Sequence, residues 1–399
     1  MSPQSPVPSP QSVGAEAAFF RSRWIESPQG VEELDPAQLA PGFRAAGVAC
    51  GLKGGGETDV GLVACDSAQI SSALLLTRNA APAAPVRVCR RECEPSGVRA
   101  AVVNSGNANA ATGEQGYRDA AAIRDAAAEA LGLESRAVAV AETGTIGVPL
   151  PVDAVIGGVT AAARALSDRG ADDFARAIMT TDRSPKRCTV RRGGVTLSAQ
   201  AKGAGMTEPG FATMLCFVQT DGLVPDPESA LRAAVAPSFE RITVDGQMST
   251  NDTVLLQASG ESGTPLDRGL LDTVLLQLAL EIVADGEGAT RVGRIEVTEA
   301  ATPQEAEWTA RAIANSPLVK TALHGRDPNW GRVTQAAGMA LAGLELEELG
   351  ADDVDAGELG SDAGEAELSV RLGRGDARAH VYFSDLTCEY VKLNSEYTT

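Results

Sequence analysis

From Gly42 onward, the chain alternates short runs of valine, isoleucine and small apolar residues with longer alanine-rich stretches at helical spacing. Val98–Val103 reads as a strand, and Tyr117–Leu131 as a helix stopped by Gly132, because glycine accepts the left-handed backbone that ends a helix. Val138 and Val140 alternate into a further strand, Asp153–Leu166 predicts a helix, and Cys188–Ala199 predicts a hairpin turning at Gly193-Gly194. In the second half, Leu271, Val274, Leu275, Leu278 and Ile282 fall on one helical face, which predicts a helix over Leu270–Val283 ending near Gly286. Thr302-Pro303-Gln304-Glu305 has the form of a capping box opening another helix, closed by Pro317. Strands are expected at Glu367–Leu372 and Ala379–Phe383, joined across Gly373-Arg374-Gly375-Asp376, with a last one at Cys388–Leu393. There is no internal repeat and no long linker, so the pattern predicts an α/β layered fold whose halves interlock.

Composition narrows the function. Of 399 residues, 53 are acidic and 34 basic, and the resulting charge of -19 repels phosphate backbones and anionic lipid, which argues against nucleic-acid and membrane partners. No apolar run approaches the roughly 20 residues of a membrane helix. The opening Met1–Val13, rich in Pro, Ser and Gln, lacks the basic start and apolar middle of a secretory signal, and a disordered tail is expected over residues 1–25. Seven cysteines at irregular spacing and only two histidines, His324 and His380, give few ligands for a metal, so buried thiols of a reduced, cytoplasmic protein are expected, with no metal site.

Several polar clusters sit where strands end. Ala201-Lys202-Gly203-Ala204-Gly205-Met206 runs through Glu208-Pro209-Gly210-Phe211 into Ala212-Thr213-Met214-Leu215; taken alone it is a glycine-rich turn before a buried strand. Asn104-Ser105-Gly106-Asn107-Ala108-Asn109 and Thr143-Gly144-Thr145 could aim backbone N–H groups at an anion, or could be plain turns. Thr180-Thr181-Asp182, Ser249-Thr250-Asn251-Asp252 and Asp327-Pro328-Asn329-Trp330-Gly331-Arg332 are each, singly, more often loops than sites.

Taken in order, these motifs carry a resemblance. Together with Gly42-Phe43-Arg44-Ala45-Ala46-Gly47-Val48, Lys320-Thr321-Ala322 and the terminal Tyr397-Thr398-Thr399, they resemble the ornithine acetyltransferases, the bifunctional glutamate N-acetyltransferase/amino-acid acetyltransferases of the cyclic arginine pathway. The likeness runs from about Pro41 to the C-terminus.

The resemblance implies the layered fold of that self-processing type, with cleavage between Ala212 and Thr213 into an α chain (26–212) and a β chain (213–399) that stay together as a heterotetramer of two of each. Thr213 would be the nucleophile. The chemistry is sound without a histidine, because the freed α-amine, with a reference pKa of about 7.7 to 8.0, can take up the hydroxyl proton. By the same likeness Thr143 and Gly144 form an oxyanion hole, and Thr180, Lys202, Thr213, Glu287, Asn394 and Thr399 bind substrate. The implied reaction moves an acetyl group from N-acetylornithine to glutamate without a resident cofactor, and acetyl-CoA is a conceivable second donor. Glu142 departs from the small hydroxyl residue that often precedes the Thr-Gly pair, and Ala111 from a cysteine. The alternatives are a related acetyltransferase of a secondary-metabolite pathway and an aminopeptidase-like self-processing hydrolase.

Overall fold

A computed structural model describes residues 18–208, 214–344 and 349–396. The expected cleavage site, Ala212 and Thr213, and the expected substrate contact Thr399 lie outside the described residues.

Two sheets form the body. The first has four strands, Phe43–Val48, Val60–Cys65, Ala100–Asn107 and Val138–Thr145, of which the last two run parallel. Helices Ala84–Glu92, Gly113–Leu131 and Val152–Ala165 pack on it, and Gly132 closes the second with a φ of 66°. The second sheet has six strands in the order Glu32–Glu33, Lys186–Arg192, Val195–Lys202, Leu215–Thr220, Thr253–Ala258 and Ser71–Leu76. The hairpin expected at Gly193-Gly194 is the link between its second and third members.

Strand alternation fixes what each face meets. Leu215, Phe217 and Leu255 share a core with the four-stranded sheet, and the Phe217 ring meets Phe174 edge-on at 5.2 Å. Cys216, Val218, Val254 and Leu256 point the other way, toward helix Arg268–Ala284. That helix buries Leu270, Leu271, Val274, Leu275, Leu278 and Ile282, each contributing roughly 1.5–3 kcal/mol of apolar burial. The result is two sheets face to face with helices outside.

The second sheet draws strands from both sides of residue 212. Val195–Lys202 and Leu215–Thr220 pair antiparallel from Leu197↔Thr220 to Lys202↔Leu215. A third sheet, with helices Pro303–Asn315, Pro317–Gly325 and Trp330–Ala340, builds its own core from the C-terminal part of the chain. The Thr302 hydroxyl caps the first of these helices at Glu305 N–H (3.1 Å), but the returning Glu305 carboxylate takes Ala301 N–H (3.1 Å) rather than that of Thr302.

Glu365–Arg371 and Ala377–Ser384 are the strands expected there, and Val292–Ala300 lies between them in the sheet, parallel to the first and antiparallel to the second. Two expectations need correction. Cys388–Glu396 is a helix and not a strand: the Thr387 hydroxyl accepts Tyr390 N–H (3.1 Å) and donates to the Gly288 carbonyl (2.8 Å), so the turn is started and docked at once. The tail expected over 1–25 is packed from residue 18 on, since Phe19 and Ser22 are buried and the Trp24 ring lies 5.2 Å from that of Tyr382.

Candidate active site

Thr143 and Gly144 lie at the end of the last strand of the first sheet, and Lys202 ends its strand in the second, so the two sheets meet at these residues. The Lys202 ammonium donates to the Thr143 hydroxyl at 3.0 Å, and both side chains are buried. Gly144 has φ 131°, and a side chain there would place Cβ 2.3 Å from the Gly106 carbonyl carbon and 2.5 Å from the Asn107 nitrogen. Only glycine lets these strand ends lie so close.

A second group comes from four separate segments. The Glu287 carboxylate accepts from the Thr181 hydroxyl at 2.8 Å and from the Asn394 carboxamide at 2.7 Å, while Glu287 N–H donates to the Ala204 carbonyl at 2.8 Å. Gly205 leaves room for this carboxylate, because a Cβ there would stand 2.8 Å from its oxygens. Of the expected substrate contacts, Lys202, Glu287 and Asn394 are therefore tied into networks through their side chains, whereas Thr180 is tied in through its backbone N–H, which donates to Asp182 Oδ2 at 3.0 Å.

Asp182 joins these parts. Its Oδ1 accepts from Gly203 N–H (2.8 Å) and from the Lys186 ammonium (2.7 Å), which also reaches Asp285 Oδ2 at 2.6 Å. Burial pushes the Asp182 carboxyl upward, but the ammonium groups of Lys186 and Lys202 outweigh it and hold it well below the usual carboxylate range. Its contribution to stability is thus complete above the ordinary value of about 3.9 and is lost as pH falls through the depressed value. Burial lowers the Lys202 ammonium, an effect that Asp182, Asp252 and Glu287 offset in part.

Sequence reading placed Asp182 in a polar cluster but missed Lys186 and Asp285, whose only signal was the four-residue spacing of Lys186 from Asp182. Lys186→Met is expected to cost roughly 3–5 kcal/mol by removing the ammonium shared by two buried carboxylates, measured as a lower urea midpoint at neutral pH. A cavity of about 420 Å³ lies beyond Lys186, bounded by Phe19, Arg21, Glu33, Glu281 and Asp285, and it does not include Thr143, Lys202 or Glu287.

With this geometry established, the comparisons are specific. The sequence matches the ArgJ family over residues 44–399. The chain belongs to that family. It is 43% identical to the arginine biosynthesis bifunctional protein ArgJ of Symbiobacterium thermophilum, over 92% of this chain and 100% of the relative. It is 42% identical to the protein of that name from Streptomyces coelicolor, over 90% of this chain and 99% of the relative. A solved chain of ornithine acetyltransferase from Mycobacterium tuberculosis, complexed with ornithine, aligns at 38% identity and a TM-score of 0.43, covering 45% of this chain and 98% of its own.

In this ArgJ-family chain Glu142 is fully buried; next to Thr143 on the same strand, its side chain leaves from the other face, and the groups acting on it are the Asn109 carboxamide and the Asp119 carboxylate. Burial raises its carboxyl far above the usual range, and Asn109 only partly offsets this. Among the described residues no partner at ordinary hydrogen-bond geometry reaches either oxygen. Its carbonyl, by contrast, accepts from the Asn251 carboxamide at 2.8 Å, which secures the strand just before Thr143.

Proposed function

We propose that this ArgJ-family acetyltransferase of arginine biosynthesis cuts its own backbone between Ala212 and Thr213 and then passes an acetyl group from N-acetylornithine to glutamate through Thr213. The observation that carries this reading is the contact of Lys202 with Thr143 beside Gly144, because Lys202 also pairs with Leu215 at the start of the next strand. Thr213 precedes Leu215 by only two residues in the sequence, which supports this reading.

In the cut, the Thr213 hydroxyl oxygen attacks the Ala212 carbonyl carbon, the Ala212–Thr213 C–N bond breaks, and the hydroxyl proton leaves with the nitrogen. Water then hydrolyses the ester. In turnover the freed amine takes the hydroxyl proton as Thr213 attacks the acetyl carbonyl; ornithine departs, and the glutamate amine accepts the acetyl group. Thr143 and Gly144 stabilise the negative oxygen of each tetrahedral intermediate. The Lys202 ammonium, set on the Thr143 hydroxyl, strengthens that donor and suits a substrate carboxylate at the same point. Glu287, oriented by Thr181 and Asn394, suits a substrate ammonium.

The scheme uses no resident cofactor, and acetyl-CoA is an additional donor to be tested. The two chains are expected to remain associated, since residues before and after the cut share a sheet, and to assemble as two of each in the cytoplasm. Among the described residues no helix is long and apolar enough to cross a membrane.

Intact mass of the purified protein before and after addition of N-acetylornithine tests the reading. Two fragments meeting at Ala212/Thr213, with one acetyl group appearing on the second and discharged by glutamate, are expected. An uncut chain that transfers acetyl groups would overturn it.

A further inference from the structure

A further cation stands at the edge of this site, on the loop that joins strands Phe43–Val48 and Val60–Cys65 of the first sheet. The loop is built around the buried Asp59, whose carboxylate accepts a run of backbone N–H groups: Cys50 on Oδ1 (2.6 Å), then Gly51 (3.0 Å), Leu52 (2.7 Å) and Lys53 (3.1 Å) on Oδ2. Asp59 is itself fixed to the strand Ala100–Asn107, because its carbonyl accepts Ser105 N–H at 2.8 Å. Leu52 closes over Gly106, where an added Cβ would lie 3.3 Å from Leu52 atoms, and Gly106 pairs with Gly144. The path from Lys53 through Leu52 and Gly106 to Gly144 is thus one of direct contacts, and a braced loop carries the lysine to the strand ends that hold Thr143.

Lys53 is half-buried, and its ammonium donates to the neutral Thr58 carbonyl at 2.9 Å. An ammonium carries more N–H donors than this one contact uses. Burial lowers it, and the charges acting on it are those of Glu57, Asp59, Lys202 and Asp182, so Lys53 and Lys202 share one electrostatic neighbourhood. Asp182 is already committed to Gly203 N–H and the Lys186 ammonium. Two ammonium groups in one neighbourhood favour a ligand with two negative ends. The two substrates differ in this respect: N-acetylornithine has one carboxylate and a side-chain ammonium, whereas glutamate has a second carboxylate on its side chain. We infer that Lys53 binds the side-chain carboxylate of glutamate, while Lys202 takes the α-carboxylate that both substrates carry. This rests on the reading of Lys202 as the carboxylate contact of an acetyl-transfer site. The two half-reactions then divide, since acylation by N-acetylornithine does not use Lys53 and deacylation by glutamate does.

Lys53→Met tests the assignment, because it keeps the apolar stem and removes the charge. The KM for glutamate is expected to rise roughly tenfold or more, while the KM for N-acetylornithine does not rise and a single turnover releases ornithine at the wild-type rate. The preference for glutamate over glutamine, which has the same shape without the charge, should fall by a similar factor, and Lys53→Arg should recover part of both. A residue that merely braced the loop would not separate the two substrates. An unchanged KM for glutamate overturns the assignment, as does an equal rise for both substrates.

If the variant does not fold, reductive methylation of the wild-type protein, read by peptide mass, decides: slower modification of Lys53 in glutamate than in glutamine supports the contact, and equal rates overturn it. A Lys202→Met variant that keeps wild-type KM values for both substrates removes the underlying reading of the site, which is distinguishable from an enzyme that needs Lys202 but whose use of glutamate ignores Lys53.

Discussion

Thr213→Ala is expected to leave the chain in one piece and to abolish acetyl transfer, a loss on the order of 10⁶ in kcat by analogy with removal of other catalytic nucleophiles. Both losses have one cause. In the proposed mechanism one hydroxyl both attacks Ala212 and later carries the acetyl group, and a methyl group can do neither. Thr213→Ser should restore both, since a primary hydroxyl is present and the amine that follows cleavage is unchanged. Intact mass and an assay with N-acetylornithine and glutamate read the two properties on the same sample. An alanine variant that is uncut yet transfers acetyl groups would show that the nucleophile lies elsewhere.

Gly144→Ala should be the next most damaging, by a different route. Its φ of 131° disfavours any side chain, and the added Cβ would lie 2.3 Å from the carbonyl carbon of Gly106 and 2.5 Å from the Asn107 nitrogen. These are backbone atoms of the neighbouring strand, so the strand ends must separate, at a cost of roughly 1–3 kcal/mol in stability. If these two residues form the proposed oxyanion hole, separation also turns their donors away, and loss of one such donor typically lowers kcat by about 10² to 10³. The expected result is a folded protein with a reduced unfolding midpoint, slowed cutting and a kcat down by that factor while substrate affinity holds. Wild-type cutting and turnover in Gly144→Ala would remove the oxyanion role from this residue.

Most of the element pattern was legible because hydrophobic spacing is local. The helix ending at Gly132, the Gly193-Gly194 hairpin and the helix over Leu270–Val283 appear where the spacing put them, within a few residues. Cys388–Glu396 was misread because Tyr390, Val391 and Leu393 mimic a short strand, whereas the cap from Thr387 depends on Gly288, about a hundred residues away. The early packing of Phe19 and Trp24 was invisible for the same reason: their partners lie far along the chain.

The candidate site divides along the same line. The sequence by itself determined the residue types, in motifs whose order places the chain in its family, and a threonine whose own amine can serve as its base. Only the tertiary structure decided that Lys202 sits on Thr143, that Glu287 is held by Thr181 and Asn394, and that Lys186 and Asp285 brace Asp182. It also decided that Glu142 is buried with no hydrogen-bond partner to its carboxyl among the described residues, and that Asn251 secures the strand just before Thr143. Spacing along a chain reports which face of a helix or strand a residue occupies; which charges meet across two sheets is set by the packing of segments remote in sequence, and no local pattern carries that.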